Sequence, residues 1–288
     1  MHLEDATKEG TLRAVLTFGQ LGSAVGMLDT PCGVAVNDKN ELAVTEIGNQ
    51  RVSVFSSDGT HLRSFGRHGR KQGEFNYPTG IAFDNNGNII VADYHTHRVQ
   101  VFTGNGKFVR EFATYGCLDH QLIYPQGLSV ASNGDIIVAD SGNKLIKIFS
   151  PSGQFLRKFG GKGSLERPYH CIQTEQYLIV SDSCEHCIKL FDLQGNLKLK
   201  FGKEGSKEGE FNVPRSLSIS KSGHLIVCDS GNNRLQVFEQ SGKFVTMFGT
   251  EGSETGEFNC LVSTANLSDG RIVVTDQLNN RIQMLELL

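Results

Sequence analysis

Self-similarity constrains this chain more than any other feature. The acids that end each central apolar run, Glu46, Asp93, Asp140, Asp182, Asp229 and Asp276, follow one another at intervals of 47, 47, 42, 47 and 47 residues. The run Gly73-Glu74-Phe75-Asn76-Tyr77-Pro78 returns as Gly209-Glu210-Phe211-Asn212-Val213-Pro214, and Gly256-Glu257-Phe258-Asn259 begins it again. Six copies account for nearly all 288 residues. A fixed period in the forties marks a chain of stacked structural units.

Within one copy, four strand-length apolar runs are divided by turn residues, as in Thr79 to Asp84, Asn88 to Ala92, Arg98 to Phe102 and Lys107 to Phe112. The segments between them hold Asn, Asp and Gly, the residues that hairpin turns need where φ becomes positive. The 33 glycines against six prolines fit many tight turns better than long helices. A four-stranded meander buries little by itself, so the copies must pack face to face around an axis. The expected fold is all-β: a six-bladed β-propeller of four antiparallel strands per blade over residues 11–288, after a tail of residues 1–10.

The two ends support closure. The sixth copy stops after its third strand, Arg281 to Leu285, while Thr11 to Gly19 matches the fourth-strand segment Lys243 to Gly249. An N-terminal strand that completes the C-terminal blade leaves no exposed sheet edge at the seam.

Composition narrows the partners. A net charge of −3 excludes a uniformly basic protein, so nucleic acid would have to bind a local patch, and no DNA partner is expected. No apolar run approaches the roughly 18 to 20 residues of a membrane span, and Met1 to Gly10 is polar where a signal peptide would be basic and then apolar. Seven scattered cysteines fit free thiols in a reducing compartment. A cytoplasmic location with no membrane partner is expected.

The runs Ile89-Ile90-Val91-Ala92-Asp93 with Arg98-Val99-Gln100-Val101-Phe102, and Leu225-Ile226-Val227-Cys228-Asp229 with Arg234-Leu235-Gln236-Val237-Phe238, resemble the NHL repeat. The first, third and sixth copies match less closely. The resemblance is nearest to the C-terminal propellers of tripartite-motif ubiquitin ligases and translational repressors. It implies a binding platform, with any ligase activity in a separate RING segment. The expected role is protein recognition, as in recruiting a ubiquitination substrate, with an RNA-binding propeller as the alternative and a metal-dependent propeller hydrolase or lyase as a weaker one.

No catalytic constellation is legible, and the propeller is expected not to be an enzyme. The acid and Arg five residues apart, Glu46 with Arg51, Asp93 with Arg98, Asp229 with Arg234 and Asp276 with Arg281, flank the same turn in four copies. Chemistry needs one asymmetric set, so this pair reads as a turn-stabilising contact. The third and fourth copies, with Leu145 and Cys187 there, should use other contacts. The position that opens each innermost strand holds Cys32, Thr79, Gln126, Tyr169, Arg215 and Val262, a ring without an acid. A hard cation would want oxygens and zinc would want nitrogen or sulfur, so no metal and no cofactor are expected. Cys184 and Cys187 have Cys-x-x-Cys spacing but no second pair, and read as turn drift.

The candidate binding site follows from connectivity. Loops that enter the first strand of a blade share a face with the turns joining its second and third strands. On that face Arg67, His68, Arg70, Lys71, His95 and His97 converge on one sector, and Tyr115, His120, Tyr124 and Lys144 adjoin it. Gln126, Tyr169 and Arg215 should surround the channel mouth. Glu204, Glu208, Glu210, Glu251, Glu254 and Glu257 make the opposite sectors acidic. A basic sector beside aromatic rings suits looped or single-stranded RNA, whereas the mixed charge of the whole face suits a protein.

Overall fold

A computed structural model describes residues 12–287 of the chain. The tail assigned to residues 1–10 lies outside the described residues, as does Thr11. Six four-stranded antiparallel sheets form the blades of a propeller. Blade 1 comprises Pro31–Val36, Leu42–Glu46, Arg51–Phe55 and His61–Phe65 from the axis outward, and blades 2 to 5 repeat this order. Blade 6 takes its inner three strands from Leu261–Asn266, Ile272–Asp276 and Arg281–Leu287, and its outermost from Leu12–Phe18. The N-terminal strand runs antiparallel to the last one, with Leu12 opposite Leu287 and Phe18 opposite Ile282. This is the closure expected from the ends of the chain.

The second strand of each blade is a nearly continuous buried apolar run whose successive side chains point to opposite faces, so every blade presents an apolar face to each neighbour. The hydrophobic core is accordingly six inter-blade layers. One of them joins Ala43, Val52 and Val54 of blade 1 to Ile81, Ile89 and Val91 of blade 2. Another joins Leu42, Val44 and Phe55 of blade 1 to Val273, Ile282 and Met284 of blade 6. Phe55, Phe102, Phe149 and Phe238 end the third strands of blades 1, 2, 3 and 5, Phe191 stands one residue before the end of that of blade 4, and all five are fully buried. The innermost strands approach so closely that a Cβ on Gly80 would lie 2.4 Å from the Gln126 carbonyl oxygen, which explains the glycine of Pro-x-Gly.

The repeated acid holds each blade to the loop that precedes it. Asp229 accepts a hydrogen bond from the Asn212 backbone N–H at 2.7 Å and pairs with Arg234 Nε at 2.8 Å. Arg234 in turn donates to the carbonyls of Ser206, Lys207 and Glu210, so acid, turn and entering loop form one unit. Glu46 with Arg51 and Asp276 with Arg281 repeat the pair at 2.7 Å. In blades 3 and 4 the cation comes instead from two residues further along the third strand, with Lys147 at 3.0 Å from Asp140 and Lys189 at 2.9 Å from Asp182. These are the substitute contacts that those two copies required.

Blade 2 departs from this scheme at one residue. Asn49, Asn143, Asn232 and Asn279 donate to their blade's acid and to a loop carbonyl. In blade 4 that place falls to Glu185 and Asp182 accepts two backbone N–H groups instead, whereas in blade 2 Thr96 stands there and its hydroxyl donates to the Asp93 backbone carbonyl at 3.4 Å. Asp93 Oδ2 is left buried without a hydrogen-bond partner, and Arg98 lies 3.5 Å away while engaging Glu111 at 2.6 Å. Burial pushes the Asp93 carboxyl up to about 6, against the favourable pull of Thr96, Asn76 and Arg98.

Two outcomes are expected. Because the folded-state value of Asp93 is raised, its ionised form destabilises the fold, and stability falls as pH rises from about 4 through about 6. Thr96→Asn should supply the missing donor, raise stability at pH 7.5 by about 1 kcal/mol, and flatten that pH slope in urea titrations. Equal stability of both proteins at every pH would contradict this. Removing residues 1–19 should leave the Arg281–Leu287 edge unpaired and cause aggregation on size-exclusion chromatography. An unchanged thermal midpoint and monomeric elution would exclude the closing role of Leu12–Phe18.

Candidate functional site

The loops entering each innermost strand and the turns between second and third strands form the upper face. Its loops are set by a latch between blades. Gln50, His97, His186, Asn233 and Asn280 occupy one repeat position at φ between 50° and 57°. Each accepts the backbone N–H of the residue before the next innermost strand: Tyr77 to Gln50 Oε1 at 2.7 Å, Tyr124 to His97 Nδ1 at 3.0 Å, Val213 to His186 Nδ1 at 3.1 Å, Cys260 to Asn233 Oδ1 at 2.7 Å and Thr30 to Asn280 Oδ1 at 2.8 Å. Lys144 holds the sixth position and pairs with Glu166 instead. His97 is therefore engaged as a neutral acceptor. Burial, with His95 and Arg70 nearby, holds it below the ordinary imidazole range.

The sector read from sequence as basic is thus partly spent on structure. Arg67 pairs with Glu74 at 3.0 Å, and Glu74 Oε2 also accepts the Lys71 backbone N–H. Glu210 and Glu257 cap their own loops in the same way, through Lys207 and Glu254. His68, Arg70, Lys71 and His120 are exposed, and among the described residues Arg70 and Lys71 have no acidic partner. Tyr115, Tyr124 and His97 do come together, as part of an aromatic strip. The Tyr94 and Tyr124 rings stack at 4.8 Å, Tyr77 lies 5.6 Å from Tyr94, and His97 is 4.8 Å from both Tyr124 and Tyr115.

The strip leads into a funnel of about 370 Å³ over the channel mouth, walled by Tyr77, Tyr94, His95, Arg167, Tyr169 and Arg215. Gln126 lines it as well. The three channel-mouth residues expected from sequence are thus gathered in one cavity with His95, while Tyr77, Tyr94 and Arg167 are additions. Tyr169 forms the floor. It reaches from blade 4 across the axis to blade 1, where its hydroxyl lies 4.0 Å from Cys32 Sγ. Below it the channel widens into a second cavity of about 290 Å³. His170 lines that cavity, with Nδ1 accepting the Leu217 N–H and Nε2 facing the Leu128 carbonyl. Burial pushes it down to about 4, so it is a neutral staple between blades with both nitrogens occupied.

Electrostatically the funnel is cationic and uncompensated. The Arg215 guanidinium sits 5.5 Å from the Tyr169 ring centre, and its hydrogen-bond contact is Cys260 Sγ at 3.5 Å. Burial pushes the Cys32 thiol up to about 11 and the Tyr169 phenol well above its usual value, so both stay neutral. The described residues contain no cluster of three His, Cys, Asp or Glu side chains able to hold a metal. Cys184 is exposed and Cys187 buried, and both are free. No described helix is long and apolar enough to cross a membrane.

The NHL repeat model matches residues 75–102, 122–149 and 211–238, so the chain carries NHL repeats in blades 2, 3 and 5. The third copy, read as divergent, is one of them. No curated protein sequence matches the chain. Among solved structures, a streptogramin B lyase superposes with a TM-score of 0.69 at 12% identity, covering 97% of this chain and 98% of the lyase. A gluconolactonase from Xanthomonas campestris gives 0.71 at 15%, covering 98% and 99%. The WD40 propeller of Doa1 gives 0.65 at 14%, covering 96% and 97%. At such identities the likeness shows the fold. NHL repeats on a propeller support a binding or scaffold role. The expectation that the chain is not an enzyme is corrected by the lyase and the lactonase, which use this architecture over their whole length. An acid-free ring at the channel mouth is no ground for excluding chemistry from the fold.

The latch has a direct test. His97→Asn should keep the thermal midpoint, since Asn does the same work at 233 and 280, whereas His97→Leu should lose about 1 kcal/mol with the hydrogen bond. Loss of stability in the Asn variant equal to that in the Leu variant would refute the latch.

Proposed function

We propose that the upper face recognises a protein partner, as the substrate-recruiting propeller of a tripartite-motif ubiquitin ligase or of an adaptor would. The observation that supports this most is the continuity of the funnel with the aromatic strip. A concave, partly apolar pocket beside exposed tyrosines has the composition of an interface core. Tyr115 is 65% exposed and Tyr124 41%, large rings that a partner could bury.

The charge pattern favours protein over RNA. Affinity for nucleic acid is dominated by phosphate neutralisation, yet Arg67 and Lys144 are already paired with Glu74 and Glu166. In that sector Arg70 and Lys71 remain, with Arg167 and Arg215 in the funnel, and so few cations give only a modest salt dependence. The stacked pair Tyr94 and Tyr124 is the feature that keeps an RNA reading in view, because bases stack on such rings.

A photocrosslinking phenylalanine analogue at position 115, used in cell lysate with and without ribonuclease, separates the two. A protein adduct that resists ribonuclease is expected. Tyr94→Ala and Tyr124→Ala should each weaken the purified complex about tenfold, or about 1.4 kcal/mol. Adducts that carry nucleotides and disappear with ribonuclease would establish RNA instead.

A further inference from the structure

The structure assigns to the funnel a specific occupant: a carboxylate side chain, Asp or Glu, inserted from the protein partner and held by Arg215. This rests on the protein-recognition reading and deepens it.

The argument begins with what Arg215 lacks. The other largely buried arginines of the blades, Arg98 and Arg234, lie against an acid and several backbone carbonyls. Arg215 has no acidic partner among the described residues, and its one polar contact is the weak acceptor Cys260 Sγ. A guanidinium carries five N–H donors in a fixed fork and is always charged. Withdrawing it from bulk water without an acceptor is unfavourable. Here the unfilled donors border a cavity large enough to admit a side chain. Arg167, at the rim of the same funnel, is exposed and likewise without an acid. The neighbouring thiol of Cys32 and phenol of Tyr169 are held neutral, so neither serves as counter-charge.

The chemistry of the occupant follows. A planar fork accepts a planar carboxylate through two parallel hydrogen bonds. One negative charge neutralises Arg215, and Arg167 offers longer-range attraction at the entrance. A phosphate dianion would bring two charges to a floor that holds a single guanidinium, leaving charge buried and unpaired. Tyr77 and Tyr94 in the wall then cover the methylenes and backbone of the inserted residue.

The test uses the full chain with arginine labelled by ¹⁵N, reading the Arg215 Nε–Hε resonance. Probes are degenerate pentapeptide pools with a fixed central Glu, Asp, Gln, Lys or phosphoserine. The Glu or Asp pool should shift that resonance and bind at least tenfold tighter than the Gln pool. Arg215→Met should abolish the preference, and Arg167→Ala should reduce it severalfold while leaving the fold intact by thermal midpoint. If Arg215→Met unfolds, Arg215→Lys serves, with the preference retained but weakened. Equal shifts with Glu, Asp and Gln, or no shift, would overturn the carboxylate assignment, and a stronger response to phosphoserine would replace it. A crosslinked partner that binds wild type and Arg215→Met equally would sink this inference while leaving the protein-recognition reading in place.

Discussion

Everything on the upper face depends on a carboxylate buried at the end of each second strand. An isolated buried charge is costly, and it persists only when several donors converge on it. Here the donors are a backbone N–H from the entering loop, an Asn from the turn and an Arg or Lys from the next strand. The acid therefore does more than close a hairpin. It fixes the loop that carries the funnel residues to the blade that carries the turn residues, and the αL latch then passes that register to the next blade.

This arrangement leaves Arg215 at the channel mouth without an acid or backbone partner, while Thr79, Cys32 and Val262 of the same ring bind and pack the blades together. In the turns, charged and polar groups are consumed by caps, latches and ion pairs, which is why surface charge is a poor guide to what the face can bind. At the axis the packing is made by backbone approach and by apolar side chains such as Val262. Solved propellers of the same architecture include enzymes and a WD40 domain.

Much of this was legible in the sequence. The period of the acids, the Asn and Gly of the turns and the missing last strand were enough for six blades and their closure. Gln126, Tyr169 and Arg215 could be placed at the mouth because one repeat position maps to one place on the ring. The basic sector was less readable for a definite reason. His97 is engaged by a backbone N–H 27 residues further on, and Arg67 by an acid seven residues away within a folded loop. Both spacings recur, 27 residues in the latches and seven in Lys203 with Glu210, but the acceptor of the latch varies among Gln, His and Asn and its donor is backbone, so residue type does not announce the contact. Tyr77 and Arg167 each precede a proline and carry no sequence signal of a site. The left-handed backbone at Tyr77, and the channel ring next to Arg167, are what bring both to the funnel. The Thr96 substitution was visible only as a letter until Asp93 Oδ2 was seen without a donor.

The central claim, that binding is concentrated at the axis of the upper face, is tested most directly by hydrogen exchange on the complex with the crosslinked partner. Slowed exchange is expected in segments 77–95, 124–128 and 213–217, with turns 85–88 and 132–135 at the opposite ends of the blades unchanged. Protection confined to those lower turns, or spread along the outermost strands, would contradict the account.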